Sequence, residues 1–214
     1  MQIEVWADVV CPWCYIGKRR LQRALAERGI TDEVEIVHRA FQLDPAASTS
    51  PSLTVDHLAA KYGVTREQAL DMMSDVTEVA AGEGLEYHLD STMRGNTRDA
   101  HRLVLWAQDQ GSTSAQRLLE AMYSAYFEQG RGVFSADDLV ELAAHVELDP
   151  AAARDVLGST AYQEQVVQDQ VLARTFGANG VPFFVFDRAV GVSGAQPVEV
   201  FVKAIDQAST TVAE

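Results

Sequence analysis

Residues 2–17, QIEVWADVVCPWCYIG, carry the patterns of a strand, a turn and the start of a helix in direct succession. The first residues of this stretch alternate apolar and polar side chains and then become small and apolar, which predicts a strand entering a core. Pro12 stands where a helix is expected to begin, and apolar residues recur with near-helical spacing from Tyr15 to Leu25, before Gly29. The segment therefore predicts a strand, a tight turn and a helix.

Cys11 and Cys14 are the only cysteines of the chain, and they lie at the predicted start of this helix. Positions i and i+3 of a helix approach within about 5–6 Å, a separation that a disulfide tolerates. Free N–H groups and the helix dipole stabilise a thiolate near the N-cap, so Cys11 is the predicted nucleophile. Cys14, one turn further along and expected to be more buried, is predicted to resolve the mixed disulfide.

Working outward, residues 34–41 predict a second strand, which completes a βαβ unit, and strand patterns return near the C-terminus at 183–186 and 189–192. A last amphipathic helix is expected at about 197–208. Between these ends, strand-type alternation is nearly absent from Thr54 onward. Helices are predicted there around 54–61, 65–83, 98–110, 114–129, 135–145 and 159–176, with a further helix start at Asp149-Pro150.

The predicted fold class is therefore α/β with two parts. Residues 1–43 and 177–214 together are long enough for one small α/β domain. Residues 44–176 are expected to form an all-helical insertion domain that packs against it.

A proline begins the first of the C-terminal strands, in the stretch Gly180-Val181-Pro182-Phe183. Such a proline can be cis and can leave the preceding backbone free to pair with an extended substrate. By itself it is more often an ordinary strand-entry proline. Beside a Cys pair on a βαβ unit, the cis form is our prediction, with Val181 and Pro182 at the substrate site.

Composition excludes several kinds of partner. Seventeen Lys and Arg against thirty-one Asp and Glu give a net charge of −14, which disfavours nucleic acid and anionic membrane surfaces. No apolar run approaches the roughly 20 residues that span a bilayer. The N-terminal residues lack the basic and apolar regions of a secretion signal, so we expect a cytoplasmic protein.

The Cys pair has alternative interpretations as a structural disulfide, as half of a zinc site, or as two buried thiols without a role. A reducing cytoplasm disfavours the disulfide. Zinc needs about four ligands, yet the chain has no second Cys pair and its five histidines show no paired ligand spacing. We therefore expect redox chemistry and no bound metal.

A set of motifs occurs in order over nearly the whole chain: DVVCPWCYIG at 8–17, RAFQL at 39–43, NT at 96–97, AHRL at 100–103, GVPFF at 180–184 and SGAQ at 193–196. Through these motifs the chain resembles the DsbA family of thioredoxin-fold oxidoreductases, and more closely its FrnE-like branch. A CxxC pair alone is only moderately specific, whereas the ordered set is strong. The resemblance implies a thioredoxin fold split by a helical domain, with Cys11 attacking, Cys14 resolving and a cis Pro182 facing them.

The resemblance also implies additional residues at a substrate cleft between the two domains. Pro12 and Trp13, between the cysteines, are expected to contact the substrate. The same role is implied for Phe41, Asn96, His101 and Gln196. An alternative of equal weight makes Phe41 a core residue, Asn96 a helix cap, His101 a satisfied helix residue and the loop before Gln196 a simple turn.

In a reducing cytoplasm the pair is expected to rest as a dithiol and to reduce or isomerise disulfides of a protein or small-molecule substrate. No resident cofactor is expected, and an external thiol reductant, such as glutathione or a thioredoxin-like donor, restores the dithiol. One alternative is a glutathione-dependent isomerase or transferase of the kappa-class type, although those relatives carry serine at the position of Cys11. Another is a non-enzymatic thiol- or metal-binding protein.

The oligomeric state is left open between a monomer and a homodimer. Apolar residues at helical spacing in the middle of the chain are candidates for a partner surface. Such stripes are more often core, and core is our prediction for them. The residues are Met72, Met73, Tyr123, Tyr126 and Phe127.

Overall fold

The computed structural model describes residues 1–211 of the chain. Strands lie at its two ends and helices fill its middle, as the sequence pattern predicts. In chain order the elements are β1 (Gln2–Ala7), α1 (Pro12–Arg28), β2 (Glu35–Ala40), β3 (Ser52–Leu53), α2 (Thr54–Tyr62), α3 (Arg66–Gly82), β4 (Met93–Arg94), α4 (Arg98–Asp109), α5 (Ser112–Tyr123), α6 (Ala136–His145), α7 (Pro150–Gly158), α8 (Gln163–Thr175), β5 (Phe183–Phe186), β6 (Val190–Ser193) and α9 (Val198–Thr211).

Both ends of the chain contribute to one four-stranded sheet in the order β2-β1-β5-β6. Strand β1 runs parallel to β2 and antiparallel to β5, and β5 is antiparallel to β6. Strand β1 is central, and all its residues from Ile3 to Ala7 are buried. Helix α1 connects the two parallel strands and packs against α9. The α/β fold class with a helical insertion is confirmed.

Local signals place the helix ends. Gly29, in the left-handed conformation at φ 68°, ends α1, and Thr65 begins α3 with a reciprocal capping box to Gln68. Ser135 and Asp149 cap α6 and α7 through their side-chain oxygens. These are the start signals that the sequence carries, so the corresponding helices begin where it predicts.

Three details of the predicted middle segment are wrong. The helix expected over 114–129 is α5 followed by a wider π turn at Ser124–Glu128. The helix expected from residue 159 begins only at Gln163, because Tyr162 has a left-handed backbone at φ 62°. Strands β3 and β4 form a two-residue antiparallel ladder in a region where no strand is predicted.

The apolar stripes in the middle of the chain are mostly core. Tyr123 and Phe127 are buried and stack with Tyr15 and Tyr87 in an aromatic cluster next to the start of α1. Tyr126 and Met73 are buried as well, whereas Met72 is 39 % exposed. Buried residues of the sheet domain and of the helical segment form one continuous core, so the boundaries at 44 and 176 stay a prediction.

No helix among residues 1–211 combines the length and the apolar character needed to cross a bilayer.

Candidate active site

The start of α1 holds both cysteines in the positions that the sequence predicts. Cys11 is the N-cap, with an extended backbone at φ −90°, and Pro12 occupies the first helical position. The N–H of Cys14 donates to the carbonyl oxygen of Cys11 at 3.0 Å, so the two residues lie within one turn. Both side chains are free thiols and both are buried. The geometry allows Cys11 and Cys14 to form and break a bond with little movement of the backbone.

The environment of Cys14 favours its neutral thiol. Burial raises the pKa of Cys14 well above its usual value, and the adjacent Cys11 adds to the effect. The backbone N–H of Asp8 acts in the opposite direction as a hydrogen-bond donor to the Cys14 sulfur, while the negative charge of Asp8 raises the pKa further. Cys14 therefore needs a group that removes its proton before it can act as a nucleophile.

Strand β5 closes the site from the opposite side. The Val181-Pro182 peptide bond is cis, as predicted, and the thiol of Cys11 donates to the carbonyl oxygen of Val181 at 3.7 Å. Gly17 allows this approach, because a Cβ at that position would lie only 3.0 Å from Pro182 Cγ and 3.1 Å from Phe184 Cζ. The cysteines and Pro182 thus face each other across a narrow space.

An open cleft of about 740 Å³ leads from Cys11 to helices α2 and α3. Its walls are mainly apolar, and four large apolar side chains that line it are exposed. Lys61, His57 and an Asp44–Arg94 ion pair supply its polar groups, together with Asp8. The four exposed apolar residues are Trp13 (39 %), Leu43 (52 %), Tyr62 (53 %) and Met72 (39 %).

His101 lies below the cleft, where its Nε2 is 3.2 Å from Oδ1 of Asp8. Both side chains are buried, and the other oxygen of Asp8 accepts the N–H of Leu43 at 2.8 Å. Asp8 itself lines the cleft, and its carbonyl oxygen accepts the N–H of Cys11 at 3.1 Å. His101 therefore does not line the cleft itself, but it contacts Asp8, which does.

The other residues implied by the resemblance have different surroundings. Phe41 packs with the cluster around Trp6 and lines a separate pocket of about 290 Å³. Asn96 accepts the N–H of Arg98 and donates to two carbonyl oxygens of the loop after Asp44. Gln196 is exposed and donates to the carbonyl oxygen of Ser193, across the turn at Gly194. None of the three lines the cleft at Cys11.

Cys11, Pro12, Trp13 and Val181 line one end of the cleft, whereas Cys14 lies one helical turn from Cys11 and does not line it. Sequence reasoning missed the wall formed by α2 and α3, and it missed the contact between Asp8 and His101. It also missed Tyr87, whose hydroxyl donates to the carbonyl oxygen of Pro12 at 2.8 Å. For Asp8 there was a signal, namely a carboxylate in a strand that otherwise turns apolar as it enters the core.

Comparisons with known proteins agree with this fold. A probable DsbA oxidoreductase from Streptomyces coelicolor has 44 % sequence identity and a TM-score of 0.92, over 98 % of this chain and 90 % of that one. The cytosolic disulfide reductase DsbM from Pseudomonas aeruginosa shares the fold, with a TM-score of 0.63 at 18 % identity, over 100 % of this chain and 97 % of that one. An uncharacterised protein of Bacillus subtilis, YwbO, is 26 % identical over 96 % of each chain.

The family model of the DSBA-like thioredoxin domain matches residues 2–206, which is nearly the whole chain. This match includes the strand, the Cys pair, the helical segment and the C-terminal strands. The chain belongs to the DSBA-like thioredoxin domain family.

Proposed function

We propose that this protein is a cytoplasmic dithiol–disulfide oxidoreductase that reduces or isomerises disulfides with Cys11 and Cys14. The observation that carries the proposal is the position of Cys11. Its thiol is at the N-cap of α1, faces the carbonyl oxygen of Val181 and lies at the end of the open cleft. The cleft gives a substrate access to this sulfur.

In the proposed reaction the Cys11 thiolate attacks one sulfur of the substrate disulfide, and that S–S bond breaks. The leaving sulfur takes up a proton, and the substrate is held by a mixed disulfide to Cys11. Cys14 then loses its proton and attacks Cys11, which releases the second substrate thiol and leaves a Cys11–Cys14 disulfide. Two electrons pass to the substrate, and an external thiol, such as glutathione or a thioredoxin-like protein, restores the dithiol.

The apolar walls of the cleft and the backbone of Val181 support a polypeptide or an apolar small molecule as the substrate. An extended segment can pair with backbone next to a strand start, while its side chains contact the exposed apolar residues. For the direction of electron flow we propose reduction of the substrate, which is the activity that DsbM, a protein with the same fold, is named for. Membership of the FrnE-like branch and the formation of homodimers are also proposals.

Insulin reduction by dithiothreitol tests this function. Wild type is expected to accelerate the precipitation of insulin chains, and Cys11→Ser is expected to give the uncatalysed rate. A glutathione-dependent transferase or isomerase would instead retain its activity only with glutathione and an electrophile. If wild type and Cys11→Ser gave the same rate, the proposed reaction would be wrong.

A further inference from the structure

A polar cavity of about 810 Å³ lies between α1, α5 and α6, and it shares no lining residue with the cleft at Cys11. Its volume is in the range of small-molecule sites, which is about 300–1,000 Å³. Most of the side chains that line it are charged groups, amides or hydroxyls. The proposed dithiol reaction uses none of these groups, so they are available to a separate ligand.

The charge of this lining is opposite in sign to that of the whole chain. Four of the 17 Lys and Arg residues line the cavity, against only two of the 31 Asp and Glu residues. With histidine counted as neutral, the lining has a net charge of +2 in a chain of −14. A small anion that the rest of the surface repels is therefore attracted to this cavity. The charged residues are Lys18, Arg19, Arg117 and Arg131, with Glu120 and Glu128.

Lys18 and Arg19, at successive positions of α1, share one carboxylate. Both side chains donate to Glu120, which also accepts the hydroxyl of Tyr15 at 2.7 Å. Neither cation pairs with another carboxylate of residues 1–211, so one of the two positive charges is not compensated. The side chain of Lys18 is only 15 % exposed, and burial lowers its pKa. An anion bound beside these two residues would compensate the remaining charge.

Arg117 and Arg131 each form an ion pair that a ligand can displace. Their partners, at 3.0 Å, are Glu147 and Glu141, whose exposed carboxylates do not line the cavity. Exposed ion pairs of this kind contribute little to stability. A guanidinium group binds phosphate through two parallel hydrogen bonds, which makes both arginines suitable phosphate ligands.

The backbone at this cavity includes the π turn at Ser124–Glu128, a rare geometry that is frequent at functional sites. The carboxylate of Glu128 forms no hydrogen bond or ion pair with residues 1–211, so its oxygens are available to the hydroxyl groups of a ligand. Amide and hydroxyl side chains of the lining offer further donors and acceptors. They belong to Gln22, Thr113, Gln116, Ser124 and Gln129.

We propose that this cavity is a binding site for a small phosphorylated compound that carries hydroxyl groups, of the sugar phosphate class. A phosphate monoester has a charge of about −1.5 to −2 at pH 7, which matches the net charge of the lining. The two cations of α1 and the two arginines contact the phosphate, while Glu128 and the amide side chains bind the hydroxyl groups. The site goes beyond the proposed redox function and does not depend on it.

Isothermal titration calorimetry with glucose 6-phosphate, at low ionic strength, tests this site. Wild type is expected to bind glucose 6-phosphate at millimolar concentration or below, inorganic phosphate more weakly, and glucose not at all. Arg117→Gln and Arg131→Gln should each weaken binding about tenfold, because each removes a charge-assisted hydrogen bond to the phosphate. Arg154→Gln is the matched control, since Arg154 forms an exposed ion pair with Asp137 on the surface outside the cavity. It should bind like wild type.

A variant of the other cleft shows where the anion binds. Lys61 lines the cleft at Cys11, so Lys61→Gln should leave the affinity for glucose 6-phosphate unchanged. The same holds for Cys11→Ser, whose loss of redox activity is a separate matter.

Three results would overturn the proposed site. The first is the absence of binding by wild type at millimolar concentration. The second is an equal affinity of wild type, Arg117→Gln and Arg131→Gln, and a loss of binding in Lys61→Gln alone would likewise place the anion in the cleft at Cys11. The third is an equal affinity for glucose 6-phosphate and inorganic phosphate, which would rule out the role of the hydroxyl groups.

Discussion

His38 on β2 is a buried imidazole whose two ring nitrogens have no hydrogen-bond partner among the described residues. Burial, with a smaller contribution from the charge of Lys18, lowers the pKa of His38 to about 3. An unfolded chain gives histidine a pKa near 6.5. Between these values the unfolded state binds the proton and the folded state does not, so stability falls as the pH decreases.

This difference predicts a contribution of His38 to the pH dependence of the free energy of unfolding. Between pH 6 and pH 4.5, His38 should remove about 1.4 kcal/mol from the free energy of unfolding for each unit of acidification. His38→Leu should lose this part of the slope, whereas His145→Gln, which changes an exposed histidine on α6, should keep it. Urea unfolding at several pH values gives the slopes. Equal slopes for wild type and His38→Leu would contradict the prediction.

At the level of secondary structure, the active site forms where the start of α1 approaches the start of β5. Local sequence signals predict both elements. Pro12 and the spacing of the cysteines mark the start of α1, and Pro182 after Gly180 marks the start of β5. The wall from α2 and α3 could not be predicted, since it depends on how separate helices pack. The same holds for Asp8 and His101, which are 93 positions apart in sequence and meet only in the folded chain.

Gly17 on α1 lies close to Pro182 and Phe184, where α1 approaches β5. Gly17→Ala is expected to cost about 1–3 kcal/mol of stability, because the new methyl group crowds Pro182 and Phe184 and outweighs the gain in helix propensity. It should also slow insulin reduction by moving Pro182 away from Cys11.

The matched control is Gly82→Ala at the end of α3, where a Cβ would meet nothing within 4 Å. That variant should be neutral or slightly stabilising, with normal activity. Thermal unfolding and the insulin assay compare the two variants. Equal stability and equal activity of the two variants would show that neither property depends on the close contact between α1 and β5.

At the scale of the whole molecule, residues 1–211 combine a sheet built from both chain ends with helices that form the opposite wall of the cleft. The site is therefore complete only when distant parts of the chain come together. Four exposed apolar side chains line the cleft that ends at Cys11, in a chain of net charge −14. This surface supports the apolar polypeptide substrate proposed above.

Trapping of the mixed disulfide tests the proposed roles of Cys11 as the attacking thiol and Cys14 as the resolving thiol. Reduced Cys14→Ser is mixed with a peptide that contains one disulfide, quenched with acid, and analysed by intact mass and peptide mapping. These roles predict that in Cys14→Ser a mixed disulfide accumulates through Cys11, while wild type passes on to its internal disulfide and Cys11→Ser forms no adduct. Failure of Cys14→Ser to form the adduct, or an equal adduct on Cys14 in Cys11→Ser, would contradict this assignment of roles.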